Sequence, residues 1–177
     1  MPAVLENIGL DDEKLYELVD GQWEEKEMAG MRHGGIGTRI ARRLGNYVEA
    51  NGLGEVYGPD TTFKIGANER MPDVSFVAEE HLPESEPAGI GPFAPDLAVE
   101  IVSPNDSAEK LADKIRAYFT AGVRQVWTVS PEIEGVSIYR SLKDVTVFLI
   151  GDELICEDLL PGFRLPLSDV FRRRSRA

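Results

Sequence analysis

Glu100 is the residue hardest to place without giving it chemistry. It lies within Leu97-Ala98-Val99-Glu100-Ile101-Val102, a nearly continuous apolar run of the kind that forms a strand covered on both faces. An ionised carboxylate there must be neutralised, paired with a helix Arg or Lys, or bound to a metal, because burying it alone costs several kcal/mol. Asp73 opens a second apolar strand, Asp73 to Ala78, entered through Met71-Pro72. Pairing of the two strands would bring the carboxylates together. Such neighbours repel unless a cation lies between them, and Mg²⁺ takes one or two protein carboxylates and completes its shell with water and phosphate oxygens. An aspartate after proline also commonly does no more than open a strand or a turn. Lys114 is the third member. On the helix after the Glu100 strand it lies one turn from Leu111 and Tyr118, at the edge of a buried stripe, and it either snorkels to solvent or sets its ammonium beside the two carboxylates.

The elements that must position these groups are legible from spacing. Asp20-Gly21 is a hairpin turn that pairs Tyr16 to Val19 with Gln22 to Met28, setting Leu18 opposite Trp23 and Glu17 opposite Glu24. Like charges directly opposite destabilise a strand pair, so that face is either well solvated or carries a cation. Ile36, Ile40, Leu44, Tyr47 and Val48 recur at helical spacing, stopped by Asn51-Gly52, with Arg39, Arg42 and Arg43 toward one flank. Short strands follow at Glu55 to Tyr57 and Thr61 to Ile65, ahead of the Asp73 strand. The segment from Glu79 to Pro95 holds four prolines and reads as a long surface loop. After Asp96 to Val102, Asp106 is the expected helix cap with Glu109 as its reciprocal partner. Leu111, Ile115, Tyr118 and Phe119 form the buried stripe, Gly122 ends the helix, and Gln125 to Val129 completes a strand–helix–strand crossover. Val136 to Tyr139 and Val145 to Ile150 form a second hairpin. Leu159 to Phe171 docks on the core, and Arg172, Arg173, Arg174 and Arg176 make a basic tail at 172–177. There is no internal repeat or linker, so 1–177 reads as a single domain.

Composition narrows the class. No apolar run approaches the ~20 residues that span a bilayer, Met1 to Leu10 lacks the pattern of a signal peptide, and the single cysteine, Cys156, has no partner for an internal disulfide. These features imply a cytoplasmic protein with no membrane partner. The net charge of −12, from 31 acidic and 19 basic residues, repels a phosphate backbone. Binding of nucleic acid must therefore rest on a local basic patch, on metal or on dimerisation. Acidic balance also simply favours solubility.

Three segments carry a resemblance: Pro72-Asp73-Val74-Ser75, the run from Pro95 to Pro104 around Glu100, and Asp113-Lys114-Ile115-Arg116-Ala117-Tyr118. With Tyr16-Glu17-Leu18-Val19-Asp20-Gly21, His33-Gly34, Gly122-Val123, Val126-Trp127 and Leu160-Pro161-Gly162-Phe163, in that order along the chain, they resemble the Uma-type restriction endonucleases, a branch of the PD-(D/E)XK nuclease superfamily. The resemblance implies an α/β fold of α+β type, a restriction-endonuclease-like core in which a mixed central sheet is flanked by helices, with N-terminal and C-terminal hairpins. It further implies Mg²⁺ or Mn²⁺ held by Asp73 and Glu100, hydrolysis of phosphodiester bonds in nucleic acid, DNA above all, and a homodimer. The superfamily lysine two residues after the glutamate is Val102 here; in this branch Lys114 takes that place from the helix. His33 and Glu17 match positions typical of the branch as further members of the set. His33 would be a metal ligand, phosphate contact or proton carrier, or else only a capping residue at a helix start, and Glu17 an outer ligand or else merely a strand-face charge.

Other signals are discounted. Gly35-Ile36-Gly37 before a helix is an incomplete dinucleotide turn, with Ile40 at the third glycine position. His33 and His81 are too few for a histidine-rich metal centre, and Trp23 and Trp127 read as core anchors. The competing reading is a non-catalytic nucleic-acid-binding, protein-binding or regulatory domain on the same fold, supported by the negative charge and by Val102.

Overall fold

The computed structural model describes residues 11, 14–85 and 87–172; Arg173, Arg174 and Arg176 of the basic tail, and Met1 to Leu10, lie outside them. Apolar runs too continuous for a solvated face build the centre of the molecule. Strands β6 (Val74–Ala78), β7 (Leu97–Ile101) and β8 (Gln125–Ser130) are buried along almost their whole length. Together with β3 (Gly54–Tyr57), β9 (Gly135–Ser141) and β10 (Asp144–Leu149) they form a six-stranded mixed sheet in the order β10-β9-β8-β7-β6-β3. Only β7 and β8 are parallel, because the helix α2 (Ala108–Thr120) carries the chain from one to the other. The remaining pairs are antiparallel.

Alternation along the strands divides the core into two layers. Val74, Phe76, Leu97, Val99, Ile101, Trp127 and Val129 pack on one face, against Ile36, Ile40, Leu44 and Val48 of helix α1 (Met31–Asn51) and against Leu160, Phe163, Leu165, Leu167 and Val170 of the C-terminal segment. Val77, Ala98 and Val126 pack on the other, against Ile115 and Tyr118 of α2. Val74 pairs with Val99, so Asp73 falls beside Glu100, and both lie in phase with Val77 and Ala98 on the α2 face.

A second, four-stranded sheet runs β2-β1-β5-β4, from β1 (Tyr16–Val19), β2 (Gln22–Glu25), β4 (Phe63–Ile65) and β5 (Asn68–Arg70). The hairpin has the expected register, Leu18 against Trp23 and Glu17 against Glu24, with Asp20 and Gly21 both at positive φ. Trp127 is fully buried, whereas Trp23 is only half-buried. The expected stop of α1 is also present: Gly52 adopts φ 60° and its N–H caps the helix.

Several local expectations are corrected. The glycines Gly35 and Gly37 do not precede a helix but lie inside α1, which begins at Met31. A Cβ at Gly37 would stand 3.2 Å from the Ile101 side chain, so the glycine lets the helix approach β7. The cap of α2 is Ser107, whose hydroxyl accepts from Lys110 N–H; Asp106 instead accepts from Ser103 N–H at 2.7 Å and closes the turn before the helix. The long loop is tied down: it opens with a 3₁₀ turn at Glu79–His81 and Gly91 bridges to Phe63. At its end buried Asp96 accepts from Ala78 N–H and meets His81 Nδ1 at 2.9 Å. A short hairpin pairs β11 (Glu153–Ile155), which lies ahead of the docking C-terminal segment, with β12 (Arg164–Pro166) inside it, followed by a single helical turn, α3 (Leu167–Val170). Among the described residues no helix is long and apolar enough to cross a membrane.

Cys156 sits in the larger core layer, fully buried, with its Sγ 3.1 Å from Gln125 Oε1. Burial, and then the charge of Asp158, push its thiol up to about 11. At pH 8 the thiolate fraction, roughly a quarter for a free cysteine near pKa 8.5, falls to about a thousandth. Labelling of native protein with a disulfide reagent is expected to run at least about a hundredfold slower than in denaturant; equal rates would contradict this packing.

Candidate active site

Helix α2 and strand β7 meet at Glu100. The carboxylate is buried (8% exposed) and engages two residues one turn apart on α2: Lys114 Nζ donates to Oε2 at 2.8 Å and Tyr118 Oη donates to Oε1 at 2.5 Å. Residues four apart share a helix face, which is how one stripe delivers both a cation and a hydroxyl. Burial raises the Glu100 pKa, the charges of Asp73 and Glu17 add to the rise, and Lys114 opposes it. For Lys114, burial works to lower its pKa, but Glu100 and Glu17 outweigh it and the net shift is upward. The lysine therefore stays an ammonium.

Asp73 lies immediately before β6. Its N–H donates to Val99 O at 3.0 Å and its Oδ2 accepts from Ile101 N–H at 2.8 Å, so both ends of the residue are fixed to the Glu100 strand. His33, the third residue of α1, brings Nε2 to 3.1 Å from Oδ2, and Lys26 Nζ stands 3.8 Å from Oδ1. Burial works to raise the Asp73 pKa, but His33, the Ile101 N–H and Lys26 carry it below the usual value. The reciprocal effect of Asp73 raises His33, against burial. His33 makes no helix-capping contact: the cap is Gly30, and Nδ1 faces Ser103 Oγ at 3.4 Å.

Glu17 of β1 enters the same cleft. Its Oε1 accepts from Met71 N–H at 2.7 Å, Arg70 donates to Oε2 at 3.1 Å, and Lys114 Nζ is 3.7 Å from Oε1. Burial would raise its pKa, yet Lys114, Met71 and Arg70 together lower it. The opposed Glu17 and Glu24 are thus separated in character: one is buried with cations, while the other is half-exposed with Lys110 at 3.7 Å. An open cleft of about 1420 Å³ passes over Glu17, His33, Asp73, Glu100 and Lys114.

All five residues singled out in the sequence therefore line one cleft. Lys114 serves Glu100 and Glu17 rather than Glu100 and Asp73. Arg70, Lys26 and the Tyr118 hydroxyl were not anticipated. Only Tyr118 left a signal, its four-residue spacing from Lys114; Arg70 and Lys26 arrive through sheet closure. Protein groups already compensate both carboxylates, Glu100 through Lys114 and Tyr118, and Asp73 through His33, Lys26 and the Ile101 N–H.

Among the described residues no group of three or more His, Cys, Asp or Glu side chains converges as a metal centre. Mg²⁺ needs only one or two carboxylates. Asp73 and Glu100 supply hard oxygens from adjacent strands, and the buried His33 Nε2, 3.1 Å from Asp73 Oδ2, has no well-formed hydrogen bond of its own. The donor set fits such an ion.

A six-stranded mixed sheet with helices packed on its faces is the core of restriction-endonuclease-like folds. The chain belongs to the Uma2 family, described as "Putative restriction endonuclease", whose model matches residues 4–168. Its fold is similar to that of a crystal structure described as a putative nuclease belonging to DUF820 from Anabaena variabilis. The two share 23% identity with a TM-score of 0.82, covering 94% of this chain and 95% of the other. No curated protein matches the chain.

Proposed function

We propose that this protein is a metal-dependent endonuclease that hydrolyses phosphodiester bonds of DNA, with Mg²⁺ or Mn²⁺ held by Asp73 and Glu100. The observation that carries the reading is the pairing of those two carboxylates on one sheet face with the Lys114 ammonium 2.8 Å from Glu100. When bound, the dication supplies Lewis-acid activation of water and neutralises charge at phosphorus. Lys114, kept protonated by Glu100 and Glu17, offers its remaining protons to a phosphate oxygen or to the attacking water. Tyr118, whose hydroxyl burial holds well above its usual pKa, stays protonated and orients Glu100. Glu17 holds Lys114 through Oε1 at 3.7 Å, and the role of His33 in this reading is to ligate the metal, contact phosphate or carry a proton. A single domain acting as a homodimer in the cytoplasm completes this reading; the dimer rests on analogy with small nucleases that pair to cut two strands.

One observation favours the non-catalytic alternative: each carboxylate already has a cationic partner, so the apo site is self-sufficient. A metal titration separates the two. At a hundred times its Kd a ligand stabilises by about 2.7 kcal/mol, so saturating Mn²⁺ or Mg²⁺ is expected to raise Tm by roughly 5–10 °C for a chain of this size. A wild type indifferent to both ions leaves the binding-domain reading in place.

A further inference from the structure

An acidic protein that acts on a polyanion needs a local surface of opposite sign, and α1 carries one. Residues 32, 39 and 43 are spaced seven and four apart, which aligns Arg32, Arg39 and Arg43 along one face of the helix. Arg32 precedes His33, which lines the active-site cleft, while its own guanidinium turns to Pro131 and Glu132; the row runs about 16 Å along the helix at 1.5 Å per residue. Arg172 faces it from the end of the C-terminal segment. A separate cleft of about 290 Å³ lies between them, floored by Ile36 and Phe171 and lined by Arg32, Arg39 and Arg172 with Glu134.

The arginines are held in place but not all are neutralised. Arg32 binds Glu132 at 3.1 Å and the Pro131 carbonyl, and Arg43 and Arg172 share Asp169. Arg39 is different: its Nε donates to Val170 O at 2.7 Å, and among the described residues its terminal nitrogens have no carboxylate partner. They lie over Gly35, where a Cβ would stand 3.2 Å from Nη1, so this glycine inside the helix makes room for the guanidinium. Burial, then the neighbouring Arg172 and Arg42, lower the Arg39 pKa, as expected where cations outnumber anions. With Arg42, five arginines gather here against Glu132, Glu134 and Asp169, in a chain whose net charge is −12.

We propose that the Arg32, Arg39 and Arg43 row, with Arg172 opposite, is the track that grips the backbone phosphates of the DNA strand outside the cleavage site. The proposal rests on the nuclease reading and names how its substrate is held. The row spans about five nucleotides at 3.4 Å axial rise per strand, and the forked guanidinium suits phosphate oxygens better than an ammonium does. Being sequence-blind, such contacts fix register and supply affinity, while bond breaking stays with the Asp73 and Glu100 cleft.

The test measures fluorescence anisotropy of a labelled duplex of about 20 base pairs with the Glu100→Gln chain, across a series of salt concentrations. The same chain carrying Arg39→Ala and Arg43→Ala is expected to bind at least about tenfold more weakly on every sequence, with a salt slope shallower by about two. In the wild-type background the pair of substitutions is expected to raise KM and leave kcat at saturation unchanged. If loss of the Val170 contact unfolds the Arg39 variant, Arg172→Gln, at an exposed side chain, is expected to weaken binding about threefold with a slope shallower by about one. Wild type that cuts DNA while these variants keep its affinity and slope overturns the track and leaves the nuclease reading intact. Wild type that neither binds nor cuts overturns both.

Discussion

Glu100→Gln is expected to lower the cleavage rate on plasmid DNA in Mg²⁺ or Mn²⁺ by on the order of a thousandfold or more, the scale of losing a group that stabilises transition-state charge. Glutamine keeps the shape of the side chain, so the fold should survive: Tyr118 retains an oxygen to donate to, and Lys114 retains Glu17 at 3.7 Å. What disappears is the negative oxygen to which Lys114 donates and which, in the proposed mechanism, would hold the metal. The metal-induced rise in Tm should vanish with it. Lys114→Met is the instructive companion: both carboxylates remain for the metal, so the Tm rise should persist while cutting falls about a hundredfold or more. Cleavage by Glu100→Gln at more than a tenth of the wild-type rate would remove Glu100 from the mechanism. Unchanged cutting by Lys114→Met would remove Lys114 alone.

Gly54→Ala is expected to be among the most damaging single substitutions outside the site, costing about 4 kcal/mol or more and lowering Tm by roughly 8–16 °C. Gly54 opens β3 at φ 135°, a backbone conformation that side chains rarely adopt. A Cβ there would stand 2.0 Å from the Val77 carbonyl oxygen and 2.8 Å from the Glu79 nitrogen. Those atoms are backbone of β6 and of the turn after it, where Glu79 N–H donates to Leu53 O, so they cannot step aside. Gly52→Ala is the control: also at positive φ, but with nothing within 4 Å of its Cβ, it should cost only about 1–2 kcal/mol. Equal losses for the two variants, measured by thermal unfolding, would mean that conformation and not the collision sets the cost.

The sequence determined whatever a short window can encode. Asp20-Gly21 fixed a hairpin with its register, Asn51-Gly52 ended α1, and unbroken apolar runs marked β6, β7 and β8 as covered strands. A carboxylate inside one such run, Glu100, with Asp73 opening another and Lys114 on the next helix, was enough to point to the cleft. The short strands were less readable: β5, β11 and β12 have three residues each, too few to show a period of two. The cap of α2 was misread because Asp106 and Ser107 are both good capping residues, and only backbone geometry decides between them.

Tertiary structure decided the electrostatics of the site. Lys114 pairs with Glu100 and Glu17, Arg70 also with Glu17, and His33 and Lys26 with Asp73. Except for Lys114 and Glu100, on adjoining elements, these pairs join residues some 40 to 100 positions apart, brought together by the closure of two sheets and the approach of α1 over Gly37. Local pattern fixes which face a side chain takes, but which charge it meets depends on packing, and so does every pKa shift that follows from it.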